Sequence, residues 1–213
     1  MEDLVRALHA TKEIANLQGR YLYYIQAHDY DRVLSLFALD DPEVSAEISS
    51  TGVYVGAKKV RALFLDLIKP LFTSAGSLPI HMLTTPVIEI SPDGQSATGM
   101  WQTLGCNAFP TEDGLVATWQ QGKYDNEFVC RDGRWFFRRF RWLCNFRTPF
   151  DEGWVRRPMT MVEPLDLSHL PERCHPSRPS DPYPGYDPSR LMDFGPLPPE
   201  PLAAKNVRAE SAR

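Results

Sequence analysis

Positions Leu4, Leu8, Thr11, Ile14, Leu17, Tyr21 and Tyr24 or Ile25 recur at helical spacing and predict a long amphipathic helix. The stretch "AHDYD" breaks it, and Asp29 or Asp31 can cap a short second helix that carries Val33, Leu36 and Phe37. "VSAEISSTGVYVG" (44–56) has strand content around a glycine turn. "AKKVRALFLDLIKPLF" (57–72) returns to helical spacing through Val60, Leu63, Phe64, Leu67 and Ile68, with Pro70 set to kink or end it.

From residue 78 the period changes to two. "LPIHMLTTPVIEI" (78–90), "QSATGMWQTLGCNAF" (95–109), "LVATWQQGKYDNEFVC" (115–130) and "RWFFRRFRWLCNF" (134–146) alternate, joined by short turn sequences such as Asp132-Gly133. Consecutive strands with hairpin links predict an antiparallel sheet, and helices followed by strands predict an α+β fold. After about residue 153 prolines concentrate and periodicity stops. The expected division is therefore a folded domain over 1–153 and an extended proline-rich arm over 154–213, a candidate for packing on a neighbouring subunit, with a mobile end at "AAKNVRAESAR".

Charge and composition narrow the functions. A net charge of −4 gives no electrostatic case for nucleic acid. The basic run "RWFFRRFRW" alternates with aromatics, as a strand with one exposed arginine face would. The start of the chain lacks a basic and then apolar leader, and no apolar run approaches a membrane span. Four cysteines form no CxxC pair, so free thiols in the cytoplasm, without structural zinc, are expected.

A curled sheet closed by helices makes a cone with one mouth, suited to a hydrophobic small ligand. Strand parity says which side chains share its inside. On 115–130 the even positions Thr118, Gln120, Tyr124 and Phe128 face inward, with Gly122 leaving space, while Gln121, Lys123, Asp125 and Glu127 are solvated. Phe136, Phe140 and Trp142 share the more apolar face of the last strand, and Trp101 and Asn107 share parity. His81 stands at the start of the first long strand, where Pro86 predicts a bulge or an edge. Among these inward side chains only His81 titrates near neutrality; burial would keep it neutral, as a general base requires. A lone strand histidine is, from spacing alone, more often structural than catalytic. No Ser-His-Asp arrangement, phosphate loop or HExxH motif is present.

"GRYLYYIQAHDYDRVLSLF", "GVYVGAKKVRALF", "IHMLTTPVIEI…GQSATGMW" and "GKYDNEFVCRDGRWFFRRF" occur in the order of the nuclear-transport-factor-two-like superfamily. Over residues 5–150 the chain resembles its SnoaL-like and scytalone-dehydratase-like branch. The most specific elements are His81 and the hairpin of Gly122, Tyr124, Asp132, Gly133 and Trp135. The resemblance implies a conical α+β barrel of strongly curved antiparallel sheet closed by N-terminal helices. It also implies a homodimer or homotrimer and chemistry without metal or organic cofactor. In the dehydratases a strand histidine is the acid/base, and His81 falls on that position. The aspartate expected near the end of the first helix is replaced by Gln26, the tyrosine before it by Ile25, and a second histidine by Asn107. Glu47 is the candidate substitute carboxylate.

The expected function is a cofactor-independent lyase, eliminating water or a small carbonyl fragment from a hydrophobic aromatic or polycyclic alcohol, with aromatic-compound catabolism as the expected setting. His81 would move the proton; Tyr124, with Tyr24 or Asn107, would hold the substrate oxygen; Gln120 and Glu47 would contact substrate; Trp101, Phe140 and Trp142 would wall the pocket. A keto-compound isomerase, a polyketide cyclase, and a non-catalytic dioxygenase β-subunit-like or ligand-binding module are the alternatives.

Overall fold

A computed structural model describes residues 2–49, 51–111, 114–158, 167–168 and 170–201. The chain opens with helix α1 (Glu2–Gln26), which buries Ile14, Leu17, Tyr21, Leu22 and Ile25. Each such side chain contributes roughly 1.5–3 kcal/mol on leaving water. Leu4 and Leu8 continue the stripe but stay exposed. Asp29 caps α2 (Tyr30–Leu34), its carboxylate accepting from the Arg32 backbone N–H at 3.1 Å. The short strands β1 (Ser45–Ile48) and β2 (Val53–Val55) follow.

The expected helix over 57–72 is present but not uniform. It begins as α3 (Ala57–Ala62), widens into a π-helical stretch over Leu63–Ile68, and closes as α4 (Lys69–Leu71), with Pro70 in the final turn. The four long strands are β3 (Leu78–Ile90), β4 (Ser96–Thr111), β5 (Gly114–Arg131) and β6 (Arg134–Pro149). The β5–β6 turn places both Asp132 (φ 50°) and Gly133 (φ 75°) in the left-handed region, as a two-residue hairpin turn requires. β4 runs further than its sequence pattern suggested, because Pro110 and Thr111 still pair with Leu115 and Gly114.

The described strands form one sheet in the order β2-β1-β6-β5-β4-β3. Its edges, β2 and β3, do not pair with each other, so the sheet curls into a cone without closing. The four long strands pair antiparallel as expected, β1 and β2 pair antiparallel too, and β1 and β6 run parallel. The helices cover the concave face through an aromatic core of Tyr21, Phe37, Phe64, Phe137 and Phe140; the Tyr21 and Phe140 rings are 4.6 Å apart.

Three irregularities set which side chains face inward. The register of β3 slips between Thr84 and Val87, as Pro86 predicted. β6 carries two extra residues: Glu127 pairs with Arg139 but Phe128 with Phe137, and Gly122 pairs with Cys144 but Gln121 with Phe146. The inward set of β6 is therefore Trp135, Phe137, Phe140, Trp142, Cys144 and Arg147. Phe136 is only half-buried and lies under the Arg134 guanidinium, which corrects its expected inward placement.

The arginine face is also less exposed than expected. Arg131 and Arg138 pair with Asp41, Arg139 with Asp125 and Glu127, and Arg141 with Glu47 and Asp125. Lys123, expected in solvent, is buried because the arm crosses it: its ammonium donates to the carbonyls of Phe194 and Pro196. Burial lowers the Lys123 pKa, against the raising influence of Asp125 and Asp193. The described part of the arm packs on this chain's own sheet. It places a 3-10 turn (Glu172–Cys174) beside Tyr54, an Arg178 bridge on Val53, and Tyr183 on Asn145. The expected mobile end at 203–213 and His169 lie outside the described residues. No described helix is long and apolar enough to cross a membrane.

Candidate active site

A cavity of about 120 Å³ lies between the helices and the concave sheet. Tyr21, Ile25, Ile68, Leu71 and Phe72 supply the helical wall, and His81, Asn107, Tyr124, Trp142 and Arg147 the sheet wall. Ile48 at the end of β1, Ser49 and Thr51 just after it, and Pro79 and Phe109 on the sheet complete the lining. The register explains how the polar side chains meet. His81 on β3, Gly105 on β4 and Gln120 on β5 are successive cross-strand partners, and Gln120 pairs onward with Arg147 on β6. All four share the concave face, and Gly105 lets Gln120 reach over β4. A Cβ on Gly105 would come 3.3 Å from both the Gln120 amide nitrogen and the His81 Cα, and 2.3 Å from the Ile80 carbonyl oxygen.

The result is a continuous polar chain on an otherwise apolar wall. Arg147 Nε donates to Gln120 Oε1 at 3.1 Å; Gln120 Nε2 is 2.6 Å from His81 Nε2; His81 Nδ1 is 3.1 Å from Tyr124 Oη. The Trp142 ring packs 5.3 Å from the His81 ring and lies under the Arg147 guanidinium at 5.6 Å. His81 is half-buried and lines this cavity. Burial, and secondarily the charge of Arg147, push the His81 pKa down to about 3, so the imidazole is neutral at physiological pH. Burial, then the neighbouring Tyr21, raise the Tyr124 phenol well above its ordinary value.

The structure brings together His81, Tyr124, Asn107 and Trp142 in the lining, with Gln120 directly behind His81. It places the other candidates elsewhere. Tyr24 is half-buried under Arg32. Glu47 pairs with Arg141 at 2.9 Å in a separate small cleft. Trp101 packs against Phe128, and Phe140 belongs to the aromatic core. Gln26, on the position of the expected aspartate, is exposed. Sequence reasoning missed Arg147, whose parity is reversed by the second extra residue of β6. It also missed Ser49 and Thr51, and placed Tyr21 only on the apolar stripe of the first helix. Ser49 and Thr51 carry no periodic signal. The arm holds their segment: Ser180 Oγ accepts from the Gly52 N–H at 3.1 Å and donates to the Ser49 carbonyl at 3.4 Å.

Asn107 Oδ1 in the lining and Thr118 Oγ1, on its cross-strand partner, are buried without a hydrogen-bond partner. Among the described lining residues Arg147 is the only formal charge and there is no carboxylate. No group of three or more His, Cys, Asp or Glu is placed to hold a metal ion among the described residues.

The model of the SnoaL-like domain matches residues 6–141, well over half of the sequence. The chain belongs to the SnoaL-like domain family. No curated relative matches it. Among solved structures, LinA is similar at 22% identity over 71% of this chain and 95% of that chain, with a TM-score of 0.60. Hexachlorocyclohexane dehydrochlorinase LinA-type3 from Novosphingobium barchaimii LL02 matches at 21% identity over 70% of this chain and 94% of that chain (TM-score 0.58). A scytalone dehydratase candidate from Novosphingobium aromaticivorans DSM 12444 matches at 17% identity over 70% and 92% (TM-score 0.57). At these identities the likeness is one of fold. The SnoaL-like match ends before Arg147, and the arm lies wholly beyond it.

Proposed function

We propose that this protein is a cofactor-independent lyase. It removes water, hydrogen halide or a small carbonyl fragment from a hydrophobic cyclic or aromatic compound bound in the cone. One observation carries the reading: the Tyr124–His81 couple, at 3.1 Å, is set with Arg147 into an apolar cavity. Such eliminations develop negative charge on an oxygen or halide next to the reacting carbon, and preorganised donors in a water-poor site stabilise that charge. The Tyr124 hydroxyl and the Arg147 guanidinium are those donors, and the Tyr124–His81 couple handles the proton. Asn107, which lines the same cavity, is the candidate for orienting a substrate oxygen. The solved neighbours include a protein named hexachlorocyclohexane dehydrochlorinase, consistent with elimination on this fold. Isomerisation of keto compounds fits less well, since the described lining offers no carboxylate base.

The test is a substrate panel of hexachlorocyclohexanes and β-hydroxy cyclic or aryl ketones, incubated with the protein and no added cofactor. Chloride release and the absorbance of the new conjugated alkene are followed. Turnover of at least one class is expected. Saturable binding of these compounds with no product from any of them would contradict the lyase reading and support a ligand-binding module.

A further inference from the structure

The chain Arg147–Gln120–His81–Tyr124 has a direction, and elementary donor and acceptor rules fix it. A guanidinium has donors only, so the atom of Gln120 that meets Arg147 Nε at 3.1 Å must be the carbonyl oxygen. The amide nitrogen then faces His81 Nε2 at 2.6 Å. An amide nitrogen donates and does not accept, so His81 Nε2 carries its lone pair toward Gln120. A neutral imidazole has one N–H, which is thereby on Nδ1, 3.1 Å from Tyr124 Oη. That N–H donates to the phenol oxygen, leaving the phenolic proton free to point into the cavity. Turning the Gln120 amide over would set its NH2 against Arg147 Nε–H, donor against donor.

We propose that Gln120 is a positioning residue: anchored by Arg147, it holds His81 as the Nδ1–H tautomer and so makes Tyr124 present its O–H, not a lone pair, to the substrate. The site therefore selects substrates that offer an acceptor, namely a carbonyl oxygen or a leaving hydroxyl or halide. This rests on the reading of the cavity as the active site and deepens it. A carboxylate partner would do the reverse, accepting an imidazole N–H at Nε2 and leaving the Nδ1 lone pair toward Tyr124. In a dehydration the balance closes on Tyr124 alone. The phenol gives its proton to the departing hydroxyl while the C–O bond breaks with its electron pair. The phenolate oxygen, held by the His81 Nδ1–H, takes the proton from the adjacent carbon as its C–H pair forms the alkene. The substrate loses H and OH as water, and Tyr124 ends as it began. His81 orients and stabilises; it need not itself be protonated. The charged or titratable groups lining the cavity around His81 are Arg147 from β6, Tyr124 from β5 and Tyr21 from α1.

The experiment is long-range ¹H–¹⁵N correlation on full-length protein labelled at histidine nitrogens, at pH 7, with His81 assigned by its loss in His81→Asn. Expected is a neutral ring with a protonated Nδ1 and an unprotonated Nε2. In Gln120→Glu, Nε2 becomes protonated. In Gln120→Ala the strict Nδ1–H preference is lost. A wild-type ring protonated at Nε2, or a Gln120→Glu ring unchanged from wild type, overturns the proposal. The wild-type spectrum decides the matter even if a variant does not fold. The expected tautomer in a protein that turns over none of the panel would defeat the lyase reading while leaving this inference standing. Turnover with an Nε2–H ring would do the opposite.

Discussion

His81 is flanked by the Trp142 ring, the Tyr124 phenol and the Gln120 amide, with the Arg147 charge close by. Protonating it would bury a second cation and break its acceptor role at Nε2. Its lowered pKa has a consequence for stability. In the unfolded chain a histidine takes a proton near pH 6.5, whereas in the fold His81 takes one only near 3. Between those values the unfolded state binds the extra proton, so stability falls as pH falls. The loss is about 1.4 kcal/mol per pH unit from this group, beginning near pH 6.5 and ending near 3. Urea unfolding at pH 7.5 and 5.5 should show wild type losing about 1 kcal/mol more than His81→Gln. Equal losses in the two proteins would contradict the buried, neutral ring. At this scale Tyr124 was legible because β5 alternates without interruption over its inward stretch, and His81 because it lies on β3 before the slip at Pro86. Gln120 was also found by parity, although its contacts are with His81 and Arg147.

Strand register explains what could not be read. Parity is a running count, and each extra residue reverses it. On β6 the extra residue near Arg138 returns Phe137 to the inside in place of Phe136, and the one near Asn145 turns Arg147 inward. Neither has a marker such as Pro86, which did announce the slip in β3. The π-helical widening of Leu63–Ile68 likewise leaves the helical spacing of its apolar residues intact and so stays invisible. Glycines do mark close approach. Gly105→Ala should place a methyl against the Ile80 carbonyl and between His81 and Gln120, forcing β3 and β4 apart. A destabilisation of roughly 1–3 kcal/mol is expected, measured by urea unfolding. The same variant should lose the Nδ1–H preference of His81. A variant as stable as wild type would show that the strands do not approach as described.

Across the whole molecule, the order of helices and strands and the cone were legible because periodicity and short hairpin turns leave few topologies. The parallel β1–β6 contact was not, since a four-residue strand carries no directional signal. Nor was the fate of the charges. Arg141 and Glu47 read as an exposed cation and a candidate catalytic carboxylate, yet each satisfies the other away from the cavity. Among the described residues the arm carries one regular element, the 3-10 turn; its path was unreadable because many of its anchors are backbone carbonyls and single hydroxyls. It buries Lys123 and holds the segment carrying Ser49 and Thr51, so sequence beyond the family's matched region helps build the cavity wall. In the proposed reaction, proton exchange at the substrate runs through the Tyr124–His81 couple. The most direct measurement is kcat on whichever panel substrate turns over, in wild type, Tyr124→Phe and His81→Gln, with substrate binding measured alongside. The predicted result is a loss of roughly 10²–10⁴ in kcat for Tyr124→Phe, a substantial loss for His81→Gln, and binding retained in both. Wild-type kcat in Tyr124→Phe would contradict it.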